Sequence, residues 1–319
     1  GDEVARMVEF ENELYFQSTT SAGQAKIHKT DGETFVHRIS NIQTSGGDTL
    51  ADPIVFNDNL YFFATNSSWG IKLFKFDGTT FTQVSNTRNS QSSTDWVSGS
   101  RPAIFGGNLY LFMLDANGND KLYRTNGTTL EKVLDIYAQL SQTRTDSLRS
   151  NLVEVNGRAY LSGNRLLQWS GSQADRLSTI NTSYFDGERP YCLLGYNDEL
   201  YFAARTTAGP HKLFKMGADK IIKQITDLRS GLDDLEAFTE WAQNPGVVCN
   251  NELFWPLYDS EGHMNLFKIE SDRVVQMMNH AGSVNENVTN LHCFSNELYF
   301  SANDLDGYSR LWKLSKEDL

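Results

Sequence analysis

The sequence predicts an all-β protein, a seven-bladed β-propeller with four antiparallel strands per blade and a last blade left incomplete. Two observations carry this. A short apolar and aromatic strand recurs as Leu14-Tyr15-Phe16, Leu60-Tyr61-Phe62, Leu109-Tyr110-Leu111, Ala159-Tyr160-Leu161, Leu200-Tyr201-Phe202, Leu253-Phe254-Trp255 and Leu298-Tyr299-Phe300. A second strand follows each copy in step: Lys26 to Lys29, Lys72 to Lys75, Lys121 to Arg124, Leu166 to Trp169, Lys212 to Lys215, Asn265 to Lys268 and Arg310 to Lys313. The central residues of the first motif are spaced by 46, 49, 50, 41, 53 and 45 positions. A period of this length, with four strands per unit, is the mark of a propeller. Helical repeats of similar period would need an apolar rhythm of 3.6 residues. That rhythm occurs only at Leu232 to Trp241, where Leu232, Leu235, Phe238 and Trp241 would line one face of a short helix.

The clearest unit is Ile54 to Val84. Ile54 to Phe56 is an apolar strand closed by Asn57-Asp58, residues that tolerate the left-handed backbone of a tight hairpin. Leu60 to Ala64 is the second strand and Ile71 to Phe76 the third. Asp77-Gly78 is a strong hairpin signal, and Thr80 to Val84 alternates as a fourth strand. Leu60 to Phe63 does not alternate, which fits a sheet covered on both faces.

In chain order, the blades are expected at about 4–40, 54–85, 103–134, 151–178, 191–225, 247–278 and 290–319, within one domain spanning 1–319. The sequence stops after the third strand of blade seven, so either a three-stranded last blade or a chain cut before its fourth strand is expected. Crossing back to the hub before pairing Gly1 to Met7 as the missing strand would take at least about five residues. Thr226 to Gly246 is the longest insertion between blades.

The pattern N-x-L-Y-F … K-L-F-K-x-D-G-T-T-F-T-Q-V resembles the repeats of extracellular propellers built on E-L-W-x-x-D-G-T or W-D-G-T-x-W cores. The likeness extends over nearly the whole chain, although the full D-G-T-T core stands only at Asp77 to Thr80, with Asn126 to Thr129 close behind. The resemblance implies a secreted or cell-surface binding or scaffolding role. It brings no shared catalytic set.

Composition narrows the partners. The 319 residues carry a formal net charge of −12, which argues against nucleic acid and against anionic membrane surfaces. No apolar run is long enough for a membrane span. No signal peptide is present and Gly1 is not a start methionine, so the chain is expected to be a processed form or one domain of a larger protein. The three cysteines, Cys192, Cys249 and Cys293, all fall on first strands, without metal spacing; they read as buried free thiols. Cys249 and Cys293 sit on neighbouring first strands but one register step apart. No histidine pair has metal spacing, and no phosphate loop, G-x-S-x-G or H-E-x-x-H occurs.

The turns between strands one and two, and three and four, are tight. The loops between strands two and three, and between blades, are long and share one face. Binding residues are expected there. The candidates are Trp69, Asp95, Trp96, Tyr184, Asp186, Arg189, Asp227, Arg229, Asp233, Asp234, Trp241, Asp304, Asp306 and Tyr308. Aromatic rings beside carboxylates and arginines suit a glycan or protein ligand. Asp115, Asn117, Asn119 and Asp120 space oxygens around a glycine as a calcium loop does, although the closing Glu is missing and a plain hairpin wants the same residues. No other cofactor is expected. The leading expectation is a non-catalytic extracellular binding or scaffold domain. A carbohydrate-active propeller enzyme and a structural spacer are the alternatives. Four sequons occur, at Asn66, Asn126, Asn181 and Asn287.

Overall fold

The computed structural model describes residues 4–31, 37–97, 102–134, 152–162, 165–171, 173–177, 190–235, 246–277 and 286–315. They form seven antiparallel sheets whose strands follow one another in sequence order: six of four strands and a last of three. The incomplete seventh blade is therefore present as expected. The chain divides into two compact units, Gly1–Arg144 with Gly171–Gln173 and Thr145–Ser170 with Ala174–Leu319. Of the 226–246 insertion, the described part, 226–235, is turns and bends; the rest of the expected helix lies outside the described residues.

Blade two shows why these residues make these strands. Ala51–Phe56, Asn59–Thr65, Ile71–Phe76 and Phe81–Gln83 pair in succession. Asn57 and Asp58 both have positive φ, at 49° and 54°, as a two-residue hairpin with the twist of its strands requires. Along the second strand, Leu60, Phe62 and Ala64 pack with blade one residues such as Tyr15 and Ile27. Tyr61 and Phe63 pack with Leu109 and Leu111 of blade three. Both faces are covered, which explains the unbroken apolar run. The same sandwiching joins blades four to five, five to six and six to seven within the second unit.

A buried polar bracket recurs at the long-loop end of blades one, two and five. Lys72 Nζ donates to Asp95 Oδ1 at 2.9 Å, with both side chains fully buried. Asp95 also accepts Ser85 Oγ and the backbone N–H groups of Thr87 and Arg88. Lys26 with Asp48 and Ser40, and Lys212 with Asp234, repeat the arrangement. Each aspartate ties the loop leaving its blade: the Asp95 N–H donates to Ile71 O, and Asp95 O accepts the Leu114 N–H of blade three. Full satisfaction by several donors is what makes a buried charge pair tolerable.

The cysteine expectation needs correction. Cys249 and Cys293 form a disulfide, with Cα atoms 5.3 Å apart, and Cys192 takes no part in one. Successive residues of a strand point to opposite faces. The residue of blade six that faces forward must therefore meet a residue of blade seven that faces back. A one-step offset is what brings those two together; it is not an obstacle to pairing.

Candidate functional site

The loop between strands two and three has one construction in the six blades where it is described. Five residues turn the chain, and the N–H of the fourth donates to the carbonyl of the first at 2.8 to 3.1 Å. The fourth residue is left-handed in every case: Gly23, Gly118, Gly209, Gly262 and Gly307, and in blade two Trp69, with φ of 66°. Glycine reaches that region without strain, whereas a bulky side chain there is an outlier. The tryptophan is nevertheless held in place. Asn66 Oδ1 accepts the N–H groups of Ser68 and Gly70. Gln43 Nε2 donates to Asn66 O at 2.9 Å.

The ring of Trp69 lies over Gly46, where a Cβ would come within 2.5 Å of its Cη2 atom. At Gly70 a Cβ would stand 2.0 Å from Gln91 O. Both glycines are thus needed for the loops to close around the tryptophan. The ring remains 62% exposed. Its neighbours are the loop leaving blade one, with Gln43 and Ser45, and the loop leaving blade two, with Gln91. The two aspartates of these loops, Asp48 and Asp95, are locked in their lysine pairs. Trp69 therefore projects beside loops whose polar side chains include Gln43, Ser45 and Gln91. Asn66, one of the sequons, is buried and donates through Nδ2 to Gln91 O and Oε1.

The other candidates divide by what their side chains touch. Asp95 and Asp234 are fully buried in the repeated brackets. Trp96 is half-buried in the layer between blades two and three, and its Nε1 donates to Asp52 Oδ2 at 2.6 Å. Asp227, Arg229, Asp233 and Asp234 do come together around Lys212 and His211. There Asp233 accepts the His211 N–H, and Arg229 lies over the Tyr258 ring and donates to Asp233 O. Asp304 caps its own hairpin by accepting the N–H groups of Asp306 and Tyr308. The Arg310 guanidinium beside it, helped by those N–H groups, holds its carboxyl below the usual carboxylate range. Tyr308 is exposed with Arg310 over its ring. Asp115 Oδ1 likewise accepts the N–H groups of Asn117 and Asn119, so this oxygen of the expected calcium loop serves the turn. Among the described residues no three His, Cys, Asp or Glu side chains gather as a metal site. Tyr184, Asp186, Arg189 and Trp241 lie outside the described residues.

On the tight-turn side, sequence reasoning missed a second repeat. Glu199 accepts from Tyr201 Oη and from Lys215 Nζ, and Glu297 does the same with Tyr299 and Lys313. Blade one has the equivalent Glu13, Tyr15 and Lys29. Burial pushes the Tyr201 hydroxyl up from its ordinary value. Between blades five and six these groups border a cleft of about 370 Å³, lined by Tyr196, Glu199, Tyr201, Glu252, Lys268 and Glu270. The signal was in the sequence: a Glu two residues before the repeated Tyr, and a Lys at the end of the next strand.

Solved structures share this architecture. The chain is a β-propeller. It is 14% identical, with a TM-score of 0.58, to the extracellular domain of a putative hybrid two-component system from B. thetaiotaomicron; the match covers 97% of this chain and 38% of that one. It also matches a streptogramin B lyase structure at 10% identity and a TM-score of 0.55, over 93% of this chain and 89% of the other. A puromycin-hydrolysing peptidase of Mycobacterium tuberculosis matches at 8% identity and a TM-score of 0.59, over 98% of this chain and 51% of the peptidase. No family model and no curated relative matches the sequence. No helix among the described residues is long and apolar enough to cross a membrane.

Proposed function

We propose that this propeller is a non-catalytic binding domain of the secreted or cell-surface kind, and that it holds a glycan against Trp69. The observation that carries this reading is the tryptophan at a position where five equivalent loops have glycine. Backbone strain at a bulky residue persists only where its surroundings impose it, and such strain gathers at ligand clamps. Here the surroundings fix an exposed indole in one orientation. An aromatic face set among neutral amide and hydroxyl groups suits the apolar face and hydroxyl rim of a sugar ring. The resemblance of the repeats to those of extracellular propellers supports the same assignment, as does the fold shared with an extracellular domain. Binding through an indole needs neither cofactor nor calcium.

The test is a glycan-array screen of the purified protein with and without chelator, repeated with Trp69→Ala. Binding that survives chelation and is lost in the variant is the expected result. Binding that Trp69→Ala leaves intact, or that chelator abolishes, overturns this assignment.

A further inference from the structure

The glutamate, tyrosine and lysine that recur on the tight-turn side are incomplete in blade six. In blades one, five and seven, Tyr15, Tyr201 and Tyr299 donate from Oη to Glu13, Glu199 and Glu297, two residues earlier. Lys29, Lys215 and Lys313 reach the same carboxylates from the next strand, where each lies opposite its tyrosine. Blade six keeps the acid and the base: Lys268 Nζ lies 2.5 Å from Glu252 Oε1. The residue opposite Lys268 is Phe254, which has the ring and lacks the hydroxyl. In blade seven, Glu297 takes the lysine on Oε1 and the tyrosine on Oε2. Glu252 Oε2 is therefore the atom that the missing hydroxyl would serve. Among the described residues no donor reaches it, and it is closed to water. Buried acceptors in this condition are rare and costly.

Glu252 borders the cleft of about 370 Å³ between blades five and six, a volume that suits a small ligand. Two other carboxylates of its lining are already engaged: Glu199 accepts from Tyr201 and Lys215, and Glu270 from Arg273. Glu252 has an oxygen to spare. Its side chain is 27% exposed, and the last torsion of a glutamate is broad, so a slight turn of the carboxylate presents Oε2 to a donor in the cleft. Three carboxylates and one ammonium in the lining disfavour an anion and favour a cation. The rings of Tyr196 and Tyr201, with centroids 6.0 Å apart, also border the space, and a planar cation stacks well on such rings. A guanidinium meets these demands together, because it is positive, flat and carries several N–H donors in one plane.

We propose that the cleft between blades five and six binds an alkylguanidinium, the group at the end of an arginine side chain, with Glu252 as its anchor. The ligand gives Glu252 Oε2 the donor that Phe254 withholds. The site shares no residue with the Trp69 loops and does not rest on the glycan assignment.

Two probes are titrated into the intact protein by calorimetry: agmatine, a free small cation, and a blocked glycine-arginine-glycine peptide. Saturable one-to-one binding of at least one is expected. Tighter binding of agmatine assigns the site to a free cation, and tighter binding of the peptide to an arginine of a polypeptide. Phe254→Tyr restores the arrangement of the three sister blades, so it should weaken binding at least about tenfold and raise the urea midpoint. Glu252→Gln keeps the shape, removes the charge and should weaken binding by a similar factor. The proposal is overturned if neither probe saturates, or if Phe254→Tyr binds as well as the parent. A urea midpoint of Phe254→Tyr below that of the parent would also overturn it, since Glu252 Oε2 would then have had no need of a donor.

Discussion

Removing the Trp69 ring in two ways separates packing from backbone strain. In Trp69→Ala and Trp69→Gly the same indole is lost. The ring is 62% exposed, so about two-fifths of a side chain that would bury about 200 Å² leaves contact, for roughly 2 kcal/mol. The variants differ in what remains. Alanine stays at φ near 66°, where an L residue costs about 1 to 2 kcal/mol. Glycine adopts that region freely, as in the five sister loops, although its greater freedom when unfolded returns about 0.5 to 1 kcal/mol. The glycine variant is therefore expected to be the more stable of the two, by about 0.5 to 1 kcal/mol, and to lie within about 2 kcal/mol of the parent. Urea denaturation of the three proteins, compared at their midpoints with slopes unchanged, measures this. Alanine equal to or better than glycine would refute the claim that the tryptophan is held against a backbone preference. Glycan binding should be lost in both variants, because neither restores the ring.

The buried brackets make a second prediction. Lys72→Met strands Asp95 without its cation and should destabilise by about 3 to 5 kcal/mol, whereas Lys313→Met, on an exposed pair, should change stability by less than about 1 kcal/mol; denaturation of both variants checks the contrast. Thiol titration of the denatured protein should find one reactive cysteine before reduction and three after, and loss of the Cys249–Cys293 bond in a Cys249→Ser variant should lower stability by about 2 to 4 kcal/mol in a denaturation curve. Alkaline pH supplies a fourth test. Burial pushes the hydroxyls of Tyr15 and Tyr123 from 10.0 to about 12, so in that window the unfolded chain has released protons that the folded one keeps. Stability from these groups is complete below pH 10 and falls as pH rises towards 12, which urea midpoints across the range should follow.

Local chemistry decided much of this protein in advance. Leu60 to Phe63 could be read as a strand covered on both sides because covering both faces removes the need for alternation. Asn57-Asp58 and Asp77-Gly78 announced their turns because few residues accept a left-handed backbone. The three-stranded last blade followed from counting motifs. The strain at Trp69 was legible too, as the one tryptophan in a column of glycines, but only once the loops are aligned on their shared hydrogen bond. What the sequence could not decide depends on partners far along the chain. Asp95 and Asp234 look like surface carboxylates in a polar loop; folding places each beside a lysine more than twenty residues earlier and buries both. Cys249 and Cys293 look mismatched until two adjacent sheets turn opposite faces to each other. In both cases what covers a side chain is a property of the assembled sheets, and there the tertiary structure alone decides.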